Sequence, residues 1–113
     1  MQTYTPDTWV ILLVDYPDYG KIHKVFAGWS GSYLYGASWK LSSGIVTFED
    51  MGEHYESLQD SGSTYTLYKS SERMSAIMAS TFASFEEQLK GIDGTIEVID
   101  SGDYVNNSKG VTE

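Results

Sequence analysis

Thr8-Trp9-Val10-Ile11-Leu12-Leu13-Val14-Asp15-Tyr16 contains the longest uninterrupted apolar run of this 113-residue chain, the six residues from Trp9 to Val14. Apolar side chains occupy both alternating faces of the stretch, so the pattern predicts a β-strand that is covered on both sides. We therefore place this segment at the centre of a sheet and expect the strand to end near Asp15.

Strand and turn signals continue on its C-terminal side. Tyr16-Pro17-Asp18-Tyr19-Gly20 has turn chemistry, because proline restricts φ and glycine accepts a positive φ. A second strand is predicted over 22–29, and the segment 30–38 that follows is rich in glycine, serine and aromatic residues. Short hairpin strands are predicted at 39–41, 45–50, 53–58 and 64–69, and a last strand at 95–99.

One amphipathic helix is predicted from Ser71 to Lys90. Ser70 or Ser71 is the predicted N-cap, and Gly91 is the predicted left-handed C-cap. The tail 100–113 has too little apolar content to fold by itself, so we expect it to be disordered or to depend on a partner. The apolar positions that recur at the helical period are Met74, Ile77, Met78, Thr81, Phe82, Phe85 and Leu89.

These elements predict an α+β fold, in which an antiparallel meander of five to seven strands packs against the helix 71–90. The length of the chain suits a single domain, which we place at residues 1–99. Because one helix covers one face of a sheet, a partly uncovered second face is expected. Its expected use is self-association or ligand binding, with a homo-oligomer favoured.

Composition narrows the class of protein further. The chain has 16 Asp and Glu against 7 Lys and Arg, a formal charge of −9, and no cysteine. The missing cysteines exclude disulfides, thiolate metal sites and a cysteine nucleophile. No signal peptide or membrane span is recognisable, so we expect a cytoplasmic protein that does not bind a membrane. The negative charge argues against long nucleic acids as partners.

Catalysis and metal binding have little support in the sequence. His23 and His54 are the only histidines, and neither has a recognisable relay partner for a serine nucleophile. Carboxylates next to His54 come nearest to metal-ligand spacing, but a hairpin with a solvated acidic face is the favoured explanation for them. Walker, dinucleotide-binding and nucleophile-elbow motifs are absent. We therefore predict no catalytic residue, no metal and no cofactor.

Charge is unevenly distributed along the chain. The thirty residues 19–48 contain no carboxylate and three lysines, Lys21, Lys24 and Lys40. Aromatic rings can stack on bases, glycines let backbone N–H groups approach a ligand, and lysines neutralise phosphate. The segment therefore predicts a site for a nucleotide, although the packed edge of a small β domain has the same composition. The residues that we assign to this site are Lys24, Trp29, Tyr33, Tyr35, Trp39 and Lys40.

A second anion-binding position is predicted at the start of the helix. Lys69 and Arg73 flank Ser70 and Ser71, where free N–H groups and the positive end of the helix dipole would favour an anion. The alternative is an ordinary helix start with surface cations.

The acidic residues support a different interpretation. Five of them lie between Glu49 and Asp60, and others follow near the C-terminus. Such a surface could cover a basic groove of another protein, whereas in most proteins it serves solubility.

One part of the chain resembles a known group of proteins. The stretch Lys24–Ile45, with Ser38-Trp39-Lys40-Leu41-Ser42-Ser43-Gly44-Ile45 at its end, and the hairpin Asp60-Ser61-Gly62-Ser63-Thr64-Tyr65 resemble small accessory proteins of tailed bacteriophages. The resemblance covers residues 22–68 and implies expression in the cytoplasm of an infected bacterium. It carries no functional residue over to this chain.

Small phage accessory proteins often act against host defence, by sequestering a nucleotide immune signal or by occluding a defence enzyme. The locally basic, aromatic segment favours the first role, because it suits a compact anionic ligand. We therefore predict a phage-type counter-defence protein that sequesters a cyclic or modified nucleotide without degrading it. The alternative is an acidic inhibitor that binds a host defence enzyme.

Overall fold

The computed structural model describes residues 2–31 and 37–105. Within these residues a short 3-10 helix, Lys69–Ser71, precedes the helix α1, Ala76–Lys90. The strands are β1 (Thr3–Tyr4), β2 (Thr8–Tyr16), β3 (Gly20–Trp29), β4 (Ser38–Leu41), β5 (Ile45–Asp50), β6 (His54–Gln59), β7 (Thr64–Tyr68) and β8 (Thr95–Ile99).

The strands form two four-stranded sheets. The central sheet has the order β4-β3-β2-β8, and the outer sheet has the order β1-β7-β6-β5. All neighbouring strands are antiparallel except β1 and β7, which pair in parallel through Thr3 with Thr64 and Tyr4 with Tyr65. The predicted α+β class with one main helix is confirmed, and its strands divide between two sheets instead of forming one.

Strand β2 explains this division. Trp9 and Ile11 are fully buried against Tyr65 and Leu67 of the outer sheet. On the opposite face of β2, Val10, Leu12 and Val14 pack in a second cluster with Met78 and Leu89 of α1. The prediction of a strand covered on both sides is confirmed. The prediction of a partly uncovered second face is wrong, because the hairpins after β4 form a sheet that covers this face.

The predicted homo-oligomer depends on that uncovered face. Because the outer sheet packs over the face, it does not support self-association, which stays a prediction.

The helix begins later than predicted. Ser75, and neither Ser70 nor Ser71, is the N-cap, and its side chain accepts a hydrogen bond from the Met78 N–H. The residues before it run alongside β2: Arg73 N donates to Trp9 O at 2.9 Å, and Glu72 forms a parallel bridge with Trp9. Because these backbone groups pair with a strand, they cannot enter a helical turn.

The C-terminal end of α1 also differs from the prediction. Gly91 has a right-handed φ of −65°, and the residue with a positive φ is Asp93, at 60°. The chain still turns back through a hydrogen bond of 2.7 Å from Gly94 N to Leu89 O. The reversal therefore takes place two residues later than a left-handed glycine cap would place it.

Residues 101–105, which the sequence assigned to a disordered tail, form a helical turn. Asp100 caps it by accepting from Asp103 N at 3.2 Å, and Glu72 accepts from both the N–H and the hydroxyl of Ser101, at 2.9 and 2.6 Å. Tyr104 and Val105 pack against the core between the sheets. The Glu72 carboxylate, which is distant in the sequence, therefore holds a segment whose own apolar content is too low for it to fold alone. Residues 106–113 lie outside the described residues.

Candidate binding groove

A groove runs where the edge of the central sheet meets the outer sheet. It consists of two adjoining depressions of about 440 and 260 Å³, and both are lined by Tyr4 of β1 and Lys40 of β4. We call the larger depression the aromatic end. It is lined by Thr3, Tyr4, Thr5, Trp29, Trp39 and Lys40. We call the smaller one the polar end. It is lined by Tyr4, Lys40, Leu41, Ser42, Ser43, Gln59, Ser61, Ser63 and Tyr65.

Pairing of distant strands builds the aromatic end. The parallel pairing of β1 with β7 places Tyr4 beside Tyr65, and their ring centroids are 5.1 Å apart. Trp29, at the end of β3, meets Tyr4 edge to face, with centroids 6.1 Å apart. Both side chains are half-buried. An aromatic surface of two rings thus remains accessible at this end of the groove.

Trp39 contributes to the rim of the groove and also to the fold. Its strand position pairs with Gly28, and its indole packs on the helix side against Phe26 and Phe85, at centroid distances of 5.9 and 5.5 Å. The side chain is nevertheless 41% exposed. Replacing Trp39 therefore changes packing as well as the groove.

Lys40 supplies the positive charge of the groove. Its Nζ lies 5.3 Å from the centroid of the Tyr4 ring, which is within cation–π range. Among the residues that the structure describes, no carboxylate forms an ion pair with Lys40. Neither end of the groove has an Asp or Glu among its described lining residues, although the chain contains 16. The groove is therefore locally positive in a strongly acidic protein.

The polar end is organised by two loops. The hydroxyl of Ser42 accepts from Val25 N, and the hydroxyl of Ser43 accepts from Ser61 N, both at 2.9 Å. Gly62 has a φ of 96°, which allows the tight turn between β6 and β7 that brings Ser61 and Ser63 to the groove. The loops thus place four serines, Ser42, Ser43, Ser61 and Ser63, around a small concave surface.

Two buried side chains line the polar end. Gln59 and Tyr65 are each about 1% exposed, and the Gln59 Oε1 and Tyr65 hydroxyl have no hydrogen-bond partner among the described residues. Burial, with a smaller contribution from Tyr4, raises the pKa of Tyr65 to about 12. The Tyr65 hydroxyl therefore keeps its proton at neutral pH.

Lys24, Lys69 and Arg73 lie away from the groove. Lys24 is paired with Leu12 on the helix-facing side of the central sheet, and burial lowers its pKa. Lys69 lies four residues beyond Tyr65, or about 13 Å along the strand direction.

Local contacts occupy Lys69 and Arg73. Lys69 forms a 2.8 Å ion pair with Asp50, and this hydrogen bond raises the pKa of Lys69. Arg73 donates to Ser70 O at 3.1 Å. Both residues precede Ser75, the N-cap of α1, so the anion position predicted between them does not lie at the first turn of this helix.

Three of the predicted site residues, Trp29, Trp39 and Lys40, therefore come together, while Tyr33 and Tyr35 lie outside the described residues. Sequence reasoning missed Tyr4, Gln59 and Tyr65. Tyr4 belongs to a strand of two residues, which is too short to show an alternation of apolar and polar side chains. Gln59 is one of several polar residues in β6, and the sequence does not distinguish it from the others. The Asp60–Tyr65 hairpin in the phage resemblance was the one signal near them.

Two further features are absent from residues 2–31 and 37–105. No group of three or more His, Asp and Glu side chains there could hold a metal ion. No helix in this part of the chain is long and apolar enough to cross a membrane.

Comparison of the chain with models of protein families, with curated proteins and with solved structures gives no match. The resemblance to phage accessory proteins therefore stays a prediction. The function has to be argued from the groove itself.

Proposed function

We propose that this protein binds a small nucleotide in the groove and sequesters it without degrading it. The observation that carries the proposal is the convergence of Trp29, Trp39 and Lys40, with Tyr4, on one groove that has no carboxylate among its described lining residues. These are the residue types that stack on a base and neutralise a phosphate.

Size and charge support a compact ligand over a polymer. The aromatic end alone has a volume of about 440 Å³, which falls in the range of small-molecule sites. Lys40 is the one formal cation among the described lining residues, and the remaining protein is strongly negative. A ligand with one or two phosphates can reach Lys40, whereas a long polyanion would be repelled by the surrounding field.

The same lining supports binding without turnover. Hydrolysis of a phosphodiester needs a general base or a metal, and histidine and carboxylates are missing from the described residues of both ends. Together with the resemblance to phage accessory proteins, this favours a counter-defence protein that removes a nucleotide immune signal in the bacterial cytoplasm.

Calorimetry tests the proposal directly. The full chain is titrated at low salt with cyclic dinucleotides, cyclic trinucleotides and cyclic ADP-ribose isomers. We expect saturable heat for at least one of them and recovery of the intact ligand after denaturation. Flat traces across the panel would contradict the proposal. Recovery of a cleaved ligand would show that the protein is an enzyme that degrades the nucleotide.

A second candidate function rests on the pairing of Glu49 with Glu56 across β5 and β6. Two carboxylates directly opposite each other destabilise a hairpin, and a basic partner would relieve this repulsion. The alternative of an acidic inhibitor therefore uses this outer hairpin. It predicts a stoichiometric, salt-sensitive protein partner in bacterial lysate that is lost when Glu49→Gln and Glu56→Gln are combined.

A further inference from the structure

Gln59 and Tyr65, the two residues of the polar end that carry unpartnered polar atoms, lie on neighbouring strands. Tyr65 pairs with Ser57, two residues before Gln59, so the Gln59 and Tyr65 side chains are diagonal neighbours on the inner face of the outer sheet. Both line the depression of about 260 Å³. Buried polar groups nearly always have a partner, because losing the hydrogen bonds of water is costly. Two unpartnered groups in one depression therefore need an explanation.

The hydrogen bonds of Gln59 define which atom is free. Its Nε2 donates to the carbonyl oxygen and to the hydroxyl oxygen of Ser57, at 3.2 and 2.9 Å. A carbonyl oxygen can only accept, so the amide nitrogen has to face Ser57, and the amide oxygen remains as an acceptor without a donor. The protonated Tyr65 hydroxyl offers a donor as well as an acceptor.

We infer that the polar end is a second subsite, which binds an uncharged part of the ligand that carries a hydrogen-bond donor for Gln59 and an acceptor for Tyr65. The inference rests on the proposed function for the identity of the ligand as a nucleotide. Two parts of a nucleotide have this chemistry: the neighbouring hydroxyls of ribose, and the adjacent N–H and C=O groups of a base such as uracil.

The position of Lys40 agrees with this assignment. Lys40 and Tyr4 line both ends of the groove, so a phosphate at Lys40 would lie between an aromatic ring at one end and a hydrogen-bonding group at the other. The depression is also larger than one bridging water requires, since a water takes up about 30 Å³. A ligand with two nucleoside parts joined through phosphate fits this order of groups.

Uncharged fragments test the subsite separately from the phosphate site. The ¹⁵N-labelled full chain is titrated with D-ribose and, in a second experiment, with uracil. Shifts are followed at the Gln59 side-chain amide, assigned by its loss in Gln59→Met, and at the backbone amides of Ser61 and Ser63. We expect saturable shifts with one of the two fragments, which also identifies the source of the donor–acceptor pair.

Tyr65→Phe removes only the unpartnered hydroxyl. We expect it to weaken binding of the fragment about fivefold and to leave the melting temperature unchanged or higher, because no protein hydrogen bond is lost. Tyr55→Phe is the matched control: its hydroxyl lies 3.1 Å from Ser101 Oγ, so this variant should lower the melting temperature and leave fragment binding unchanged. Gln59→Met is a second variant that should weaken fragment binding, and the shifts of the Ser61 and Ser63 backbone amides measure this loss.

The outcomes separate the two proposals. Absence of shifts with both fragments, or unchanged fragment binding in Tyr65→Phe, would overturn the subsite and leave a depression that holds water only. A fragment that binds while every nucleotide of the panel gives flat traces would overturn the proposed function and retain the polar subsite.

Discussion

Lys40 Nζ lies 5.3 Å from the centroid of the Tyr4 ring, and this contact joins the edge strand of the central sheet to the first strand of the outer sheet. The two residues are 36 positions apart in the chain, and together they line both ends of the groove. The cation of the groove is thus held against an aromatic ring, while no carboxylate of the described residues neutralises it.

Removing this cation should weaken nucleotide binding. We expect Lys40→Met to reduce the affinity for a bound nucleotide roughly tenfold and to flatten its dependence on salt, because a charge-assisted contact with phosphate is lost. Lys90→Met makes the same change of charge at an exposed position of α1 and should leave the affinity unchanged. Calorimetry at two salt concentrations measures both quantities, and equal losses in the two variants would indicate a general effect of net charge.

Trp39 should contribute to stability as well as to the groove. Its indole packs against Phe26 and Phe85, so we expect Trp39→Ala to lower the free energy of unfolding by about 1–2 kcal/mol. Tyr19→Ala removes a ring that is 84% exposed and should cost less than about 0.5 kcal/mol. Urea unfolding of both variants tests the difference. A Trp39→Ala protein of unchanged stability would contradict the packing on the helix side.

Two glycines near the end of α1 should respond in opposite ways to alanine. Gly91 has helical φ and only an ordinary 3.4 Å contact for an added Cβ, so Gly91→Ala should stabilise the protein by about 0.5 kcal/mol. At Gly94 an added Cβ would lie 2.9 Å from the backbone oxygen of Asp15, so Gly94→Ala should be strongly destabilising. Thermal unfolding compares the two variants. Destabilisation by Gly91→Ala would restore the left-handed cap predicted from the sequence.

His23 should make the stability depend on pH. Burial lowers the pKa of His23 from its usual value of 6.5, and its ring lies 4.7 Å from that of Tyr104. Between the lowered pKa of the folded protein and 6.5, the unfolded chain therefore binds more protons than the folded protein, and the free energy of unfolding falls as the pH drops through this range. Urea unfolding between pH 8 and pH 5 should show a smaller fall in His23→Leu. Parallel curves for the two proteins would argue against a half-buried His23 that stays neutral in this range.

The carboxylate of Glu72 should hold the helical turn 101–105 in place. Ser101→Ala removes the hydroxyl that donates to Glu72 at 2.6 Å, and we expect a loss of about 1–3 kcal/mol in stability. Hydrogen exchange of the Tyr104 amide, which donates to Asp100 O, should become faster at the same time. Ser84→Ala, on the exposed side of α1, is the control: it should not destabilise the protein, because alanine favours a helix, and it should leave exchange of the Tyr104 amide unchanged. Slow exchange at Tyr104 in Ser101→Ala would show that the turn is held by other contacts.

Features that depend on local periodicity could be predicted from the sequence. The alternation in β2 predicted burial on both faces, and the 3.6-residue repeat from Met74 to Leu89 predicted the face of α1 that packs against the central sheet. The aromatic and basic composition of residues 19–48 also predicted Trp29, Trp39 and Lys40 as site residues, and the structure brings these three to one groove. The first two signals each lie within a short window, where the spacing of side chains follows directly from the geometry of a strand or helix.

The tertiary structure decided which distant segments meet. The parallel pairing of Tyr4 with Tyr65 assembles the groove, and the hydrogen bond from Arg73 N to Trp9 O delays the start of α1. Glu72 orders residues 101–105, although it lies 29 positions before Ser101. Residues far apart in the chain can pair in many ways. The pairing that forms is the one with the most favourable total of burial and hydrogen bonding, and no short stretch of sequence shows that total. The sequence by itself therefore determined the apolar faces of β2 and α1, whereas only the folded chain determined that the strands form two sheets and which polar groups line the groove.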